Sequence, residues 1–337
     1  MSIENKLKII EDFRKEYNCE SHLTTLIDPW FSNNISNNRP IYKKMSIGYC
    51  FTEDNKYEIV IKLFTKNKKT KRLALDFLKK VGGGRIERNT FAKVSSNFLL
   101  GNKNNFEQDL VCLGSSVSFK KSSYGTIGGF VKTKDDRIAL LTCGHVLNPG
   151  ILNKKKVFSP AHKAGKNSNF KPTEVAIVHR SNPPLKNKIN NIDASIAILN
   201  DTTDTYSNTI HFDCQFKEKK IESFNPSLEN LKENIDVYKI GSNKPFSIGR
   251  FIGVFNDVEI CGFKFDELYV ANNKIGEFAI PGDSGSIVFI ENSDKLLGLG
   301  IVIGRGIRID DSKKVFNFET YICPLNKIMN EFNVDYL

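Results

Sequence analysis

The pattern of hydrophobic positions changes after residue 105. In the first third of the chain, apolar residues recur at helical spacing in 3–17 and again in 73–81, and they alternate at strand spacing in 56–64. The basic stretch 66–72 precedes the second helical pattern and indicates a hinge between the two elements. We therefore predict a small, basic α+β domain over residues 1–105.

From residue 106 onward, short apolar runs are separated by turns rich in glycine, asparagine and lysine. Many short runs at regular spacing are typical of strands in a barrel or a sandwich. The predicted strands are 126–131, 138–142, 173–178, 194–199, 237–240, 251–255, 267–270, 286–290 and 297–303. One helix is predicted at the end, over 325–332. Residues 106–337 are thus expected to form a mostly β domain.

The composition is that of a globular protein, with 40% hydrophobic and 26% charged residues. No apolar run approaches the 18 residues of a membrane-spanning helix, and no secretory signal is visible, so we expect no membrane span and a cytoplasmic location. The seven cysteines are scattered without metal-ligand spacing. This pattern predicts free, mostly buried thiols and provides no metal or cofactor site.

The net charge of +11 is concentrated in residues 1–105, which hold 20 Lys/Arg against 11 Asp/Glu. A positive face can attract nucleic acid or an acidic protein surface. The basic stretch 66–72 has no interleaved aromatic side chains, which disfavours a nucleic-acid site. We expect a solvated basic face that gates the rest of the protein or recruits a regulatory protein partner.

The most specific motif is Pro281-Gly282-Asp283-Ser284-Gly285-Ser286, which lies just before an apolar run. A serine among small residues on a tight turn can expose its hydroxyl. The backbone N–H groups of Gly282 and Ser284 can converge on one point and form an oxyanion hole. Because the same letters are also ordinary turn chemistry, the motif alone leaves a structural role open.

A serine hydroxyl is a weak nucleophile at neutral pH and needs a base. His145 ends a predicted strand where the chain turns at Gly144, which would place its ring at the rim of a barrel. An imidazole base needs a carboxylate on its other nitrogen, and Asp193 opens an apolar strand in which an unpaired charge would be costly. A structural histidine and a strand-capping aspartate are the alternatives.

His145, Asp193 and Ser284 follow one another at separations of 48 and 91 residues. In this order the motifs resemble the chymotrypsin-like (trypsin-like) serine peptidases, in the disulfide-free branch of intracellular bacterial and plant enzymes. The likeness covers about residues 110–332. It implies a double six-stranded β-barrel, with His145 and Asp193 on the first barrel and Ser284 on the second.

The resemblance also implies what surrounds the triad. Phe278, Ala279, Gly300 and Gly304 would line the substrate pocket and favour small or uncharged residues at the cleaved position. The edge of the strand 299–304 would pair with an extended protein or peptide substrate. These implications describe a serine endopeptidase. The alternative is a catalytically silent double-barrel scaffold that recruits an acidic protein partner.

One departure from the family concerns activation. Ile127-Gly128-Gly129 is similar to the N-terminus that digestive members create by cleavage, but it lies only 18 residues before His145. That separation is too short for the role, so activation of this kind is not predicted. The partner of Asp283, which such a terminus would supply, is left open.

Overall fold

The fold is known here from a computed structural model. It describes residues 45–51, 57–63, 68–80, 85–88, 92–94, 111–119, 124–148, 156–161, 172–201, 206–211, 214–223, 231, 235–260, 262–274, 277–309 and 315–337. The helix predicted over 3–17 lies outside these residues. The described part is mostly β, as the sequence predicts, and its helices are α1 (Lys68–Lys80) and α2 (Leu325–Phe332).

The strands follow in chain order. They are β1 (Met45–Phe51), β2 (Tyr57–Leu63), β3 (Arg85–Arg88), β4 (Ala92–Val94), β5 (Ser116–Val117), β6 (Gly125–Thr126), β7 (Gly129–Thr133), β8 (Ile138–Thr142), β9 (Lys156–Ser159), β10 (Thr173–Asn182), β11 (Ile189–Asn190), β12 (Ala194–Leu199), β13 (Ile221–Ser223), β14 (Asp236–Ile240), β15 (Phe246–Ile260), β16 (Phe263–Asn273), β17 (Ile287–Asn292), β18 (Lys295–Ile309), β19 (Val315–Pro324) and β20 (Val334–Tyr336).

A six-stranded sheet with the order β20-β7-β8-β12-β10-β9 carries the histidine and the aspartate. Strands β8 and β12 are antiparallel neighbours, and Thr142 at the end of β8 pairs with Ser195 at the start of β12. The chain leaves β8 three residues before His145 and enters β12 directly after Asp193. The register of this one pair of strands therefore places His145 and Asp193 side by side.

The second sheet carries Ser284. Six of its strands pair in a ring, β14-β15-β16-β19-β18-β17 and back to β14. Ser284 lies in the turn that leads into β17. In the described part of the first sheet the pairings do not return to their start, so the predicted closure of two barrels stays a prediction.

Elements from the first third of the chain contact this second sheet. Strand β1 pairs with β15, where Gly48 lies opposite Phe255, and β4 pairs with β18. The side chains of Phe77 and Leu78 in α1 pack into a core cluster with Phe251. The assignment of residues 1–105 to a domain of their own stays a prediction.

The predicted elements agree with the structure best where one face is buried. Helix α2 has the predicted bounds, since Leu325, Ile328, Met329 and Phe332 form its buried face. The prediction of a hinge over 66–72 is wrong from residue 68 on, because α1 begins at Lys68; lysine and arginine are good helix formers. The predicted strand 126–131 is divided into β6 and β7, because the N–H groups of Ile127 and Gly128 donate to other segments.

Two strands extend well beyond the apolar runs that predict them. Strands β15 and β18 are each 15 residues long, whereas the sequence predicts only their apolar middles.

Among the described residues, no helix is long and apolar enough to cross a membrane. Cys112, Cys143, Cys214 and Cys323 are free thiols, in agreement with the prediction for these four.

Candidate active site

His145 and Asp193 form a two-point contact. The ring Nδ1 of His145 lies 2.5 Å from Oδ2 of Asp193, and the backbone N–H of His145 donates to Oδ1 at 2.9 Å. The carboxylate is 2% exposed and the imidazole 33% exposed. The aspartate thus holds both the backbone and the ring of the histidine, which turns Nε2 away from the carboxylate.

Gly144 makes this close approach possible. A Cβ atom at Gly144 would lie 2.5 Å from the carbonyl oxygen of Asn182 and 2.8 Å from Oδ1 of Asp193. Any side chain there would push the strand that carries Asp193 away from the histidine. The glycine directly before His145 is therefore required by packing against β10 and the aspartate.

The environment of His145 raises its pKa above the ordinary value of 6.5. Burial of the ring is the largest influence and by itself lowers the pKa, because it disfavours the charged form. The negative charge of Asp193 and its hydrogen bond to the ring favour the charged form, and together they outweigh burial. The imidazole is thus a stronger base than a free histidine.

Some backbone amides of the turn around Ser284 donate hydrogen bonds and others do not. The N–H of Asp283 donates to Ile280 O at 3.0 Å, that of Gly285 to Val302 O at 2.8 Å, and that of Ser286 to Asp283 O at 2.9 Å. In contrast, the N–H groups of Gly282 and Ser284 donate to no group among the described residues. Two donors on either side of Asp283 thus remain available.

The carbonyl groups of the turn are anchored as well. The oxygen of Gly282 accepts hydrogen bonds from Thr126 Oγ1 at 2.9 Å and from Ser242 Oγ at 3.3 Å. The oxygen of Asp283 accepts from Ser286 N–H. In a trans peptide the N–H points opposite to the C=O, so the anchored oxygen of Asp283 fixes the direction of the Ser284 N–H.

Thr126 connects the two halves of the site. Its N–H donates to Ser284 O at 2.8 Å, while its own carbonyl accepts from Thr142 Oγ1, at the end of β8, at 2.7 Å. One residue therefore joins the strand that leads to His145 with the turn that carries Ser284. The sequence does not reveal this role, because a threonine in a predicted strand belongs to no motif that indicates a contact with the serine turn.

Ser284 itself is almost fully buried, and its Oγ has no hydrogen-bond partner among the described residues. The structure thus joins His145 to Asp193 but shows no hydrogen bond from the serine hydroxyl to the imidazole. Such bonds are often long in proteins without substrate and shorten in the complex. The hydroxyl of Ser284 is therefore not committed to another group among the described residues.

Asp283 has a partner that the sequence analysis left open. Its Oδ2 lies 2.9 Å from Nζ of Lys239, and both side chains are 0% exposed. The carboxylate also accepts from the N–H of Ile280 at 3.0 Å, and Lys239 donates to Lys244 O at 2.9 Å. A lysine inside strand β14 thus neutralises the aspartate next to Ser284.

The four predicted pocket residues are placed differently from one another. Phe278 is fully buried in the second core cluster and Ala279 is nearly so. Gly300 lies inside the sheet, where a Cβ atom would meet Cys323 O at 2.1 Å. Gly304 precedes Arg305, whose guanidinium donates to Ala279 O at 3.3 Å. The side chain of Arg305 thus connects the position after Gly304 to Ala279, whereas Gly300 lies in the sheet interior.

Arg305 also donates to Glu277 Oε1 at 2.8 Å. This ion pair lies beside Ala279 and Gly304, in the region that the resemblance assigns to substrate. Neither residue was singled out from the sequence. The signal that could have found Arg305 is its position directly after Gly304, where a charge ends the run of glycine and apolar residues 296–304.

Cys143, His145 and Asp193 have ligand atoms within 4.8 Å of one another, a spacing that could hold a metal ion. The thiol of Cys143, however, donates to Val302 O at 3.0 Å. Burial, and then the charge of Asp193, raise its pKa well above the ordinary value, so the thiol stays protonated. We assign no metal to this cluster, and the lack of a cofactor stays a prediction.

Comparison with known proteins completes the description. No protein-family model matches the chain, and no curated protein matches it. Among solved structures, the chain is similar to a glutamic acid specific serine protease that uses a histidine triad in substrate binding, with 15% identity and a TM-score of 0.47 over 67% of this chain and 100% of that chain.

Two further solved structures show a likeness of the same size. Cellulomonas bogoriensis chymotrypsin has 14% identity and a TM-score of 0.46 over 67% of this chain and 98% of its own. Thermobifida fusca protease A has 13% identity and a TM-score of 0.44 over 68% and 98%. At this identity and TM-score the similarity carries no argument about the chemistry of this chain, which has to be judged from its own residues.

Proposed function

We propose that this protein is a serine endopeptidase that cleaves protein or peptide substrates through an acyl-enzyme. The observation that supports this most is the turn at Ser284. There the buried serine hydroxyl has no hydrogen-bond partner among the described residues, and the backbone N–H groups of Gly282 and Ser284 donate to none of them. The second support is the contact between His145 Nδ1 and Asp193 Oδ2 at 2.5 Å. Together these groups provide a nucleophile, an oriented base and two donors for a developing oxyanion.

In the first half of the reaction, Ser284 Oγ attacks the scissile carbonyl carbon while its proton moves to Nε2 of His145. The carbonyl oxygen becomes an oxyanion that accepts hydrogen bonds from the N–H groups of Gly282 and Ser284. Asp193 holds the ring through Nδ1 and stabilises the imidazolium. The tetrahedral intermediate then expels the amine, which takes the proton from Nε2 as the C–N bond breaks.

In the second half, water replaces the amine. His145 takes a proton from the water as its oxygen attacks the acyl carbon, and the same two N–H groups stabilise the new oxyanion. The ester bond to Ser284 Oγ breaks, and Nε2 returns its proton to the serine. The cycle needs no group beyond this chain, its substrate and water.

Substrate would add as a strand to β18 on the side of β17. The prediction of a free edge over 299–304 is wrong at its start, because Ile301 and Gly300 already pair with β17. In the described part of the sheet no strand pairs with Ile303, Gly304 and Arg305 on that side. This shorter edge follows Val302, which is bonded to Gly285 and Ser286, so a peptide there would end beside Ser284.

The preference for small or uncharged residues at the cleaved position is part of the proposal. Phe278 and Ala279 contribute buried apolar side chains there, and the charge of Arg305 is paired with that of Glu277. The cytoplasmic location, the gating of the site by residues 1–105 and a regulatory protein partner recruited by them are also parts of the proposal.

The test is labelling with a fluorescent fluorophosphonate, which reacts with activated serines. We expect the purified wild-type chain to be labelled and Ser284→Ala to remain unlabelled. Ser286→Ala is the matched control, because Ser286 Oγ is also buried without a hydrogen-bond partner among the described residues and lies two positions away. It should be labelled like the wild type.

Two results would contradict the proposal. Labelling that persists in Ser284→Ala would show that another residue reacts. A wild-type chain that folds but is never labelled would favour the second candidate function, the silent scaffold. The scaffold has one observation in its favour, which is that Ser284 Oγ makes no hydrogen bond to His145 in this structure.

A further inference from the structure

Asn243 connects a half-buried tyrosine, Tyr124, to the peptide bond before Gly282. The side-chain Nδ2 of Asn243 donates a hydrogen bond to Pro281 O, and the hydroxyl of Tyr124 donates to Asn243 Oδ1. Asn243 lies in the turn after β14, Tyr124 in the segment before β6, and Pro281 in the turn that carries Ser284. None of these contacts belongs to the triad or to the oxyanion donors themselves.

The orientation of the Asn243 amide follows from chemistry. A backbone carbonyl can only accept a hydrogen bond, so the group that faces Pro281 O must be the NH₂ group of Asn243. The amide oxygen then faces Tyr124 and can only accept, so the phenol must donate. Burial, as the largest influence, raises the pKa of Tyr124 to about 12, and the phenol keeps the proton that it donates.

The contact at Pro281 O determines where the next N–H points. Pro281 O and Gly282 N–H belong to one peptide plane and point in opposite directions. With the oxygen held by Asn243, the N–H of Gly282 points away from Asn243. If this plane turned over, the site would present a carbonyl oxygen where an oxyanion needs a donor.

Packing supports the same arrangement. Gly282 has φ +99°, a conformation that glycine adopts readily and other residues rarely do. A Cβ atom there would lie 2.3 Å from Tyr124 Cε1 and 2.5 Å from Asn243 Nδ2. Tyr124 and Asn243 therefore lie directly against the α-carbon of Gly282, and no side chain fits between them.

We propose that Asn243, oriented by Tyr124, is a positioning residue that holds the Pro281–Gly282 peptide so that its N–H serves the oxyanion hole. The inference rests on the proposed peptidase function. It adds two residues to that function which neither the motifs nor the resemblance pointed to. Both act through Gly282 and touch no reacting atom.

The test compares rates of fluorophosphonate labelling in Asn243→Asp, Asn243→Leu and the wild type. Asn243→Asp keeps the shape but replaces the NH₂ donor by an oxygen, and Asn243→Leu removes the donor without adding a charge. Loss of one oxyanion donor lowers the rate by on the order of 100-fold, and we expect that loss in both variants. Tyr124→Phe removes only the orienting bond and should lower the rate by about 10-fold.

A purely structural role is separated from positioning by the pH profile. In Asn243→Leu and Tyr124→Phe, which add no charge, the plateau of the labelling rate should fall while the midpoint stays where it is in the wild type, because the midpoint belongs to His145 and Asp193. Asn200→Asp is the matched control, since Asn200 also donates from its side chain to a backbone carbonyl, that of Glu174. It should label at the wild-type rate.

Each outcome decides the inference. A rate within twofold of wild type in Asn243→Leu, a loss confined to Asn243→Asp, or a shifted midpoint in Asn243→Leu or Tyr124→Phe would overturn it while labelling of wild-type Ser284 upholds the peptidase function. If the Asn243 variants fail to fold by circular dichroism, the rate of Tyr124→Phe decides in the same way. A wild-type chain that is never labelled removes the proposed function and this inference with it.

Discussion

The two halves of the candidate site are held in place in different ways. His145 and Asp193 lie beside the ends of neighbouring strands, and one carboxylate contacts both the ring and the backbone N–H of the histidine. Thr126 and Ser242 donate hydrogen bonds to the turn at Ser284, and Lys239 forms an ion pair with Asp283 in the same turn. In one half a single carboxylate orients both the ring and the backbone of the histidine, and in the other several segments that are distant in the chain contact the turn.

This difference predicts how each half fails. Damage to the histidine half should remove activity and leave the fold nearly unchanged, because few other groups depend on the contact. Damage to the serine half should affect stability and activity together, since the same bonds hold the core and shape the turn. Single substitutions in each half test this contrast.

The largest effect on activity is expected for Asp193→Asn. The amide cannot accept from both the ring and the backbone as the carboxylate does, and the histidine loses its orientation and its compensating charge. Peptidase activity should fall by about 10⁴-fold. The assay is hydrolysis of a fluorescent casein, with a thermal melt beside it. A fall in activity that is matched by a collapse of the melting transition would contradict the contrast.

The largest effect on stability is expected for Lys239→Met. The change leaves the Asp283 carboxylate buried without its counter-charge, which lowers the free energy of unfolding by about 3–5 kcal/mol. Labelling of Ser284 should fall in the fraction that stays folded. Urea denaturation measures the first effect and fluorophosphonate labelling the second.

The control for this prediction is Lys156→Met. Lys156 pairs with Glu174 at 2.6 Å, but its side chain is 60% exposed. An exposed pair of this kind contributes about 1 kcal/mol or less, so the midpoint in urea should barely move. Equal losses in the two lysine variants would show that burial of the Lys239 pair is unimportant.

A smaller effect is expected for Thr126→Val, which keeps the shape of the side chain and removes its hydroxyl. Gly282 O then keeps only the bond from Ser242, and the unfolding free energy should fall by about 1 kcal/mol. The labelling rate should fall by about 10-fold, because a less restrained turn presents its donors less often. Labelling at the wild-type rate would show that Thr126 has no part in holding the turn.

The smallest effect concerns pH. The reaction needs neutral His145, and its raised pKa means that activity is lost as pH falls through a value above 6.5. For stability the sign is opposite. Protonated His145 stabilises the fold through Asp193, so this contribution is complete below the unfolded pKa and is lost as pH rises through the folded pKa. A labelling profile against pH and a series of melts check the two signs.

The sequence predicted the histidine half of the site better than the serine half. His145 and Asp193 both adjoin apolar strands, and adjoining strand ends are close whenever those strands pair. Thr126, Lys239 and Asn243 could not be found in this way. They contact the serine turn across 156, 44 and 38 residues, and single polar residues in strands and turns have no pattern that predicts such contacts.

The same difference between local patterns and distant contacts explains which elements of the fold could be predicted. Helix α2 was predicted with its bounds, because its buried residues recur at helical spacing. Strand β19 was missed because polar Glu319 and Thr320 interrupt its apolar pattern, although both are buried. Burial of a polar group depends on partners elsewhere in the fold, and a local pattern of hydrophobicity does not contain them.

The proposed function requires that Ser284 becomes acylated because His145 removes its proton. The direct measurement is to mix the protein with p-nitrophenyl acetate, stop the reaction in acid and locate the acetyl group by peptide mass mapping. We predict one acetyl group on the peptide that contains Ser284, and none on that peptide in His145→Ala. An acetyl group on another residue alone, or on Ser284 to the same extent without His145, would contradict the account.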